Sequence, residues 1–187
     1  AVIIETHFRA EQSHHNNEIE GFKIYESRRS DVADDKSGGG ILVYCKTSDG
    51  LIMREHRPNI ANKHLSFVNN ERLWILCESC GNKTAVCGTY LGFQAADDRN
   101  EEWNILIYSV LLQEQADLRK EGYRVIILGD FNGHIGNQPG VGIFGNKPGI
   151  NKNGYLLLNF IKNAEMTILN KLCLNPGYCS SHECKYA

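Results

Sequence analysis

At 187 residues the chain has room for one domain with a real apolar core and is short for two. Its 42% hydrophobic and 22% charged residues exclude a disordered chain, and no apolar run is long enough to span a bilayer. A net charge of -2 gives no basic signature of a nucleic-acid binder, although a bound metal ion can carry a phosphate contact instead.

The chain opens inside an apolar run, AVIIET, which predicts a strand ending on Glu5. AVIIETHFRA lacks the basic, apolar, small-residue order of a secretory leader. The expectation is therefore an intracellular protein, nuclear or cytoplasmic, not secreted and with no membrane partner. GFKIYESR alternates apolar and polar residues at period two, as a half-buried strand does. An acidic loop, SDVADDKSGGG, leads through its glycines into ILVYCK, a further strand. LSFVNNERLWILCESC and TAVCGTYLG read as two strands joined by a turn around Gly81-Asn82.

DDRNEEWNILIYSVLLQEQADLRKEG is the clearest helix. Asp98 with Glu101 has the form of a capping box, and Lys120 with Gly122 makes a good end. Trp103, Leu106, Ile107, Val110 and Leu111 fall on one face. YRVIILGD follows as a strand whose continuous apolar run, VIIL, predicts burial on both faces. After a glycine-rich loop, NGYLLLNFIKNAE reads as a second helix with Asn151 or Asn153 as its N-cap. MTILN reads as a last strand, and the tail LNPGYCSSHECKYA has no periodicity. Strands first and strand–helix alternation later suit a single α/β layered domain over 1–187.

Cysteines stand at 45, 77, 80, 87, 173, 179 and 184. Their odd number and irregular spacing argue against a disulfide framework and for a reducing compartment. Cys77 and Cys80 have the spacing of half a zinc knuckle, with Cys179, His182 and Cys184 as a conceivable other half. Ordinary strand and turn cysteines are the preferred reading, because a structural zinc site normally needs two tight ligand pairs.

The chemistry-bearing stretch is GDFN, Gly129 to Asn132. Ligand sites in α/β folds gather at the carboxyl ends of strands, and Asp130 stands at such an end. Gly129 leaves room for close approach. Strand alternation turns Asp130 and Asn132 one way and Phe131 into the core. A carboxylate there can orient or deprotonate a water, and an amide can donate to a phosphoryl oxygen. Asp and Asn are also common turn residues, so from these residues alone a capping role stands beside the catalytic one. Glu5 ends another apolar run, and Mg²⁺ takes one or two protein carboxylates with water and phosphate oxygens. A solvated edge glutamate is the alternative. Tyr90 closes a strand before a loop, where its hydroxyl could donate to phosphate or simply face water.

The series IIET, SGGGILVY, VCGTYLG, VIILGDFNGHIG and NKNGYLLLNF ending in TILN resembles the endonuclease/exonuclease/phosphatase superfamily, the group of deoxyribonuclease I. Within it, the resemblance is to the endonuclease domain that precedes the reverse transcriptase in non-LTR retrotransposons. It runs from Ala1 to about Asn175 and leaves the tail 176–187 unmatched. It implies a two-sheet sandwich flanked by helices, a four-layer α/β/β/α fold, truncated here at both ends. It implies Mg²⁺, or Mn²⁺, held by Glu5, and an attacking water oriented by Asp130. Asn132 would contact the phosphate, Tyr90 would donate to it, and Arg28 or Arg29 would face DNA. The implied partners are DNA and a reverse transcriptase region of the same polyprotein.

Two departures stand out. The family's early strand carrying an Asn has no counterpart before Ala1. Its terminal Ser-Asp-His motif has none either, since no Asp follows Asp130. Neither His182, in SSHE, nor His134, in GHIG, nor His7 takes that histidine's role here. Three readings follow: a Mg²⁺-dependent endonuclease nicking DNA for target-primed reverse transcription, an inactive remnant with at most weak nucleic-acid binding, or a phosphatase for small phosphoesters. The last needs basic phosphate-clamping loops, and SDVADDKSGGG is acidic.

Overall fold

The computed structural model describes residues 1–4, 6, 18–27, 40–58, 71–92, 98–136 and 149–169, with the side chains of 98–100 excepted. It is mixed α/β, with a three-stranded and a four-stranded sheet and two helices among the described residues. In chain order these are β1 Val2–Ile4, β2 Phe22–Ser27, β3 Ile41–Lys46, β4 Ile52–His56, β5 Arg72–Ser79, β6 Asn82–Tyr90, α1 Asp98–Lys120, β7 Arg124–Asp130 and α2 Lys152–Asn163.

The smaller sheet has the antiparallel order β1-β3-β2, and the larger runs β4-β5-β6-β7, with only β6 and β7 parallel. A parallel pair needs a crossover, which α1 supplies. The sheets face each other across Tyr25, Ile41, Val43, Leu73 and Ile75. On the other face of the larger sheet, Trp74, Leu76, Ala85 and Cys87 meet Ile107, Tyr108, Leu111 and Leu118 of α1 and Phe160 of α2. Gly88 sits on the inter-sheet face: a Cβ there would come within 2.9 Å of both Ile41 Cγ2 and Val2 Cγ1, so β1 and β3 pack directly on the β6 backbone.

Local chemistry explains the element ends. The β5–β6 hairpin closes through Cys80 (φ 49°) and Gly81 (φ 80°), both left-handed as a type I′ turn needs. The turn thus lies one residue earlier than Gly81-Asn82. α1 ends in a Schellman motif: Tyr123 N donates to Leu118 O (3.0 Å), Gly122 N donates to Arg119 O (3.0 Å), and Gly122 has φ 87°. Asn151, not Asn153, caps α2, its side chain accepting from Gly154 N at 2.7 Å. The capping-box reading of Asp98 lies outside the described side chains.

Three expectations are corrected. The buried face of α1 is Asn104, Ile107, Tyr108, Leu111, Glu114, Gln115 and Leu118, and Trp103 is 40% exposed. Ile107 and Leu111 are buried and Leu106 and Val110 half-buried as the apolar spacing indicates, so only Trp103 falls off the face, which buried Asn104, Glu114 and Gln115 extend. VIIL is buried on one face only. Val125 and Ile127 pack towards the helices, while Ile126 (36%) and Leu128 (44%) are exposed, because among the described residues β7 is the last strand of its sheet. MTILN forms no strand over its described residues 166–169, where no ladder partner supports it. β4, IMREH, is a strand that composition does not announce; it pairs with β5 from Ile52–Glu78 to His56–Trp74.

Candidate functional site at the ends of β6 and β7

Tyr90 and Asp130 are register partners on parallel β6 and β7 and are the last residues of both strands. Register partners project to the same face, here the side on which Gly88 meets the smaller sheet. Two residues 40 positions apart in sequence therefore flank one point at the carboxyl edge of the larger sheet. Gly129 makes this tight: a Cβ on it would lie 1.9 Å from Thr89 O. What lies close to Gly129 is the backbone of the neighbouring strand.

The chain leaves β7 through a fixed turn. Leu91 N donates to Asp130 O (2.9 Å), which carries the ladder one step past the strand end. Asn132 N donates to Asp130 Oδ1 (2.8 Å), and Asn132 takes φ 45°, a conformation Asn tolerates better than most residues. This left-handed turn ends the strand alternation assumed for Asp130 and Asn132. Phe131 packs against the helix-side core as expected. Asn132 Nδ2 donates to Leu91 O at 2.7 Å, so one amide hydrogen is spent on the protein, and among the described residues the second meets no acceptor.

Around this turn lies a set of asparagines. Asn151 Nδ2 donates to Asn132 O (2.9 Å), and Asn151 Oδ1 accepts from His134 N (2.9 Å). Asn151 N donates to His134 O (3.1 Å). Behind them, Asn104 Nδ2 donates to Gly92 O (3.0 Å) and to Asn153 Oδ1 (2.9 Å), while Asn153 Nδ2 donates to Gly92 O (3.2 Å). Both asparagines are fully buried and mutually satisfied. His134 Nδ1 is buried without a partner. Only the NKNG quartet and an Asn on a helix face hinted at this network in the sequence.

A second buried polar centre supports β6 from beneath. Arg72 Nε donates to Glu114 Oε2 at 2.7 Å, a second guanidinium nitrogen pairs with Oε1, and Trp74 Nε1 donates to Oε2 at 2.7 Å. Thr89 Oγ1 and Tyr90 N both donate to Glu71 O (2.8 and 3.0 Å). Burial, reinforced by Glu114, pushes the nearby Cys87 thiol up; burial also raises Cys45 and Cys77. Cys77 lies on β5 and Cys80 in the hairpin turn, where strand and turn cysteines were expected.

The described residues bring Tyr90, Asp130 and Asn132 together. Glu5, Arg28, Arg29, His7 and the group Cys179, His182 and Cys184 lie outside them. No set of three or more His, Cys, Asp or Glu residues able to hold a metal occurs among the described residues. No described helix is long and apolar enough to cross a membrane. Compared with known proteins, the chain matches no family model and no curated protein.

Proposed function

We propose that this chain is a Mg²⁺-dependent phosphodiesterase with the deoxyribonuclease I-like α/β/β/α fold, and that it nicks DNA for target-primed reverse transcription. The observation carrying the reading is the pairing of Tyr90 with Asp130 at the shared carboxyl edge of β6 and β7, with Asn132 locked beside them. In this reading the Asp130 carboxylate, already oriented through one oxygen by Asn132 N–H, holds the attacking water with the other and draws its proton. Tyr90 O–H and the second amide hydrogen of Asn132 donate to non-bridging phosphate oxygens. These are oxygen and amide groups without a thiolate, a donor set that suits a hard cation. Mg²⁺ (or Mn²⁺) on Glu5 would supply charge stabilisation for the leaving oxygen. Arg28 or Arg29 would contact DNA, with nucleus or cytoplasm as compartment and a reverse transcriptase region as covalent partner.

The test is relaxation of supercoiled plasmid with Mg²⁺, run beside a thermal melt. Asp130→Ala and Glu5→Ala should each lower nicking by about two to three orders of magnitude. Full nicking in both variants rejects the proposal. A folded wild-type chain that leaves the plasmid supercoiled also rejects it.

A further inference from the structure

We propose that Asn151 is a positioning residue for the 130–134 turn, and that NKNG is the second half of the site whose first half is GDFN. Asn151 uses every polar group it has on this task except its carbonyl. Its Nδ2 holds Asn132 O (2.9 Å), its Oδ1 holds His134 N (2.9 Å), and its backbone N–H holds His134 O (3.1 Å). The same Oδ1 caps α2 through Gly154 N (2.7 Å). One side chain thus ties the turn to the first turn of a helix that is itself packed on α1.

Gly154 makes the same point independently. A Cβ there would lie 2.0 Å from His134 O and 2.7 Å from His134 C, so any side chain at 154 would drive the turn away from α2. On the opposite side the turn is held by Leu91, through Asn132 Nδ2 and through Leu91 N to Asp130 O. With Leu91 on one flank and Asn151 on the other, Asn132 is held in its left-handed conformation, and its N–H in turn aims Asp130 Oδ1. The chain of action runs from Asn151 to Asn132 to the carboxylate. Asn151 reaches the reacting atoms only through these two residues.

Asn151→Asp separates positioning from folding. The carboxylate keeps the acceptor for His134 N and Gly154 N, so the α2 cap survives. It loses the donor to Asn132 O and sets an anionic oxygen against that carbonyl. The expected result is a melting midpoint close to wild type, a 10- to 100-fold fall in kcat for plasmid nicking (roughly the range for a small misplacement of a catalytic group), and KM within about twofold. The backbone amide resonance of Asn132, which donates to Asp130 Oδ1 and not to Asn151, should shift, which a purely capping role would not produce; that of His134 shifts with the change in its own acceptor and serves only as a reference. Nicking within twofold of wild type, or an unmoved Asn132 resonance, overturns the proposal. The kinetic arm rests on the phosphodiesterase reading, whereas the resonance arm does not. Wild-type protein that fails to nick rejects that reading alone, and a shifted or unshifted Asn132 resonance in Asn151→Asp then decides the positioning role.

Discussion

Gly129→Ala tests whether the site depends on the close approach of β7 to β6. In an unstrained position the substitution would stabilise, by about 0.4–1 kcal/mol, because it restricts the unfolded chain. Here the new methyl would lie 1.9 Å from Thr89 O and 2.8 Å from Thr89 C, well inside the 3.0 Å that real Cβ atoms keep. The obstacle is backbone in a paired strand, so it cannot turn aside as a side chain would. β7 must move by more than 1 Å at its carboxyl end, which breaks or stretches the ladder bonds around Thr89–Gly129 and Tyr90–Asp130. Two weakened bonds at about 1 kcal/mol each, with overpacking of about 1–3 kcal/mol, give a loss of about 3–5 kcal/mol. Urea unfolding followed by circular dichroism measures it, with a constant m-value as the sign of unchanged cooperativity. Gly88→Ala is the graded control. Its Cβ meets only side-chain atoms, at 2.9 Å, and the cost should be clearly smaller. A Gly129→Ala protein as stable as wild type, or one less affected than Gly88→Ala, would refute the steric argument.

Other outcomes follow from the same geometry. Glu114→Ala removes the carboxylate that Arg72 and Trp74 share in the core and should cost about 3–5 kcal/mol; Glu114→Gln, which keeps an acceptor, should cost less, and equal chemical midpoints for both variants and wild type would show the pair to be inert. Stability should begin to fall as the pH approaches 9 and fall further above it. Cys87 and Tyr108 are held protonated by burial, whereas in the unfolded chain they ionise from ordinary values of 9.0 and 10.0. The unfolded state then binds fewer protons than the native one, and each group contributes a slope of up to about 1.4 kcal/mol per pH unit. Cys87→Ala should flatten the onset of that fall, and a wild-type stability unchanged between pH 8 and 11 contradicts the assignment. Asn153→Ala strands Asn104 in the core and leaves Gly92 O with one donor fewer, which should cost about 1–3 kcal/mol by thermal melt.

Period-two and helical patterns locate β1, β2, β3, β5, β6, β7 and both helices, because these segments bury an apolar face. They fail where burial is not apolar. On α1, Asn104, Glu114 and Gln115 are buried, so a face judged by hydrophobicity includes exposed Trp103 and omits Asn104. They also fail where pairing decides. Among the described residues, VIIL has the composition of a central strand and occupies an edge, IMREH has a poor strand composition and is a strand, and 166–169 of MTILN have a good one and form none. Asp130 at a strand end was readable from GDFN. Its adjacency to Tyr90 depends on the β6–β7 register, a long-range quantity that no local pattern encodes. The asparagine clamp was hidden for a similar reason, since Asn is ordinary in loops and caps and its partners lie up to 61 residues away.

These buried polar contacts tie down the carboxyl end of β6. α1 grips it on both sides of Tyr90. Glu114 holds Arg72, the register partner of Thr89, while Asn104 holds Gly92, two residues beyond Tyr90. Along a helix these two grips are about 15 Å apart, so α1 acts as a splint across the strand end. The same helix packs against α2, whose cap holds the turn after Asp130. Tyr90 and Asp130 are therefore referred to one rigid element, one directly and the other through α2. Loosening either grip should move one residue relative to the other, a change to which the proposed in-line displacement would be far more sensitive than global stability is.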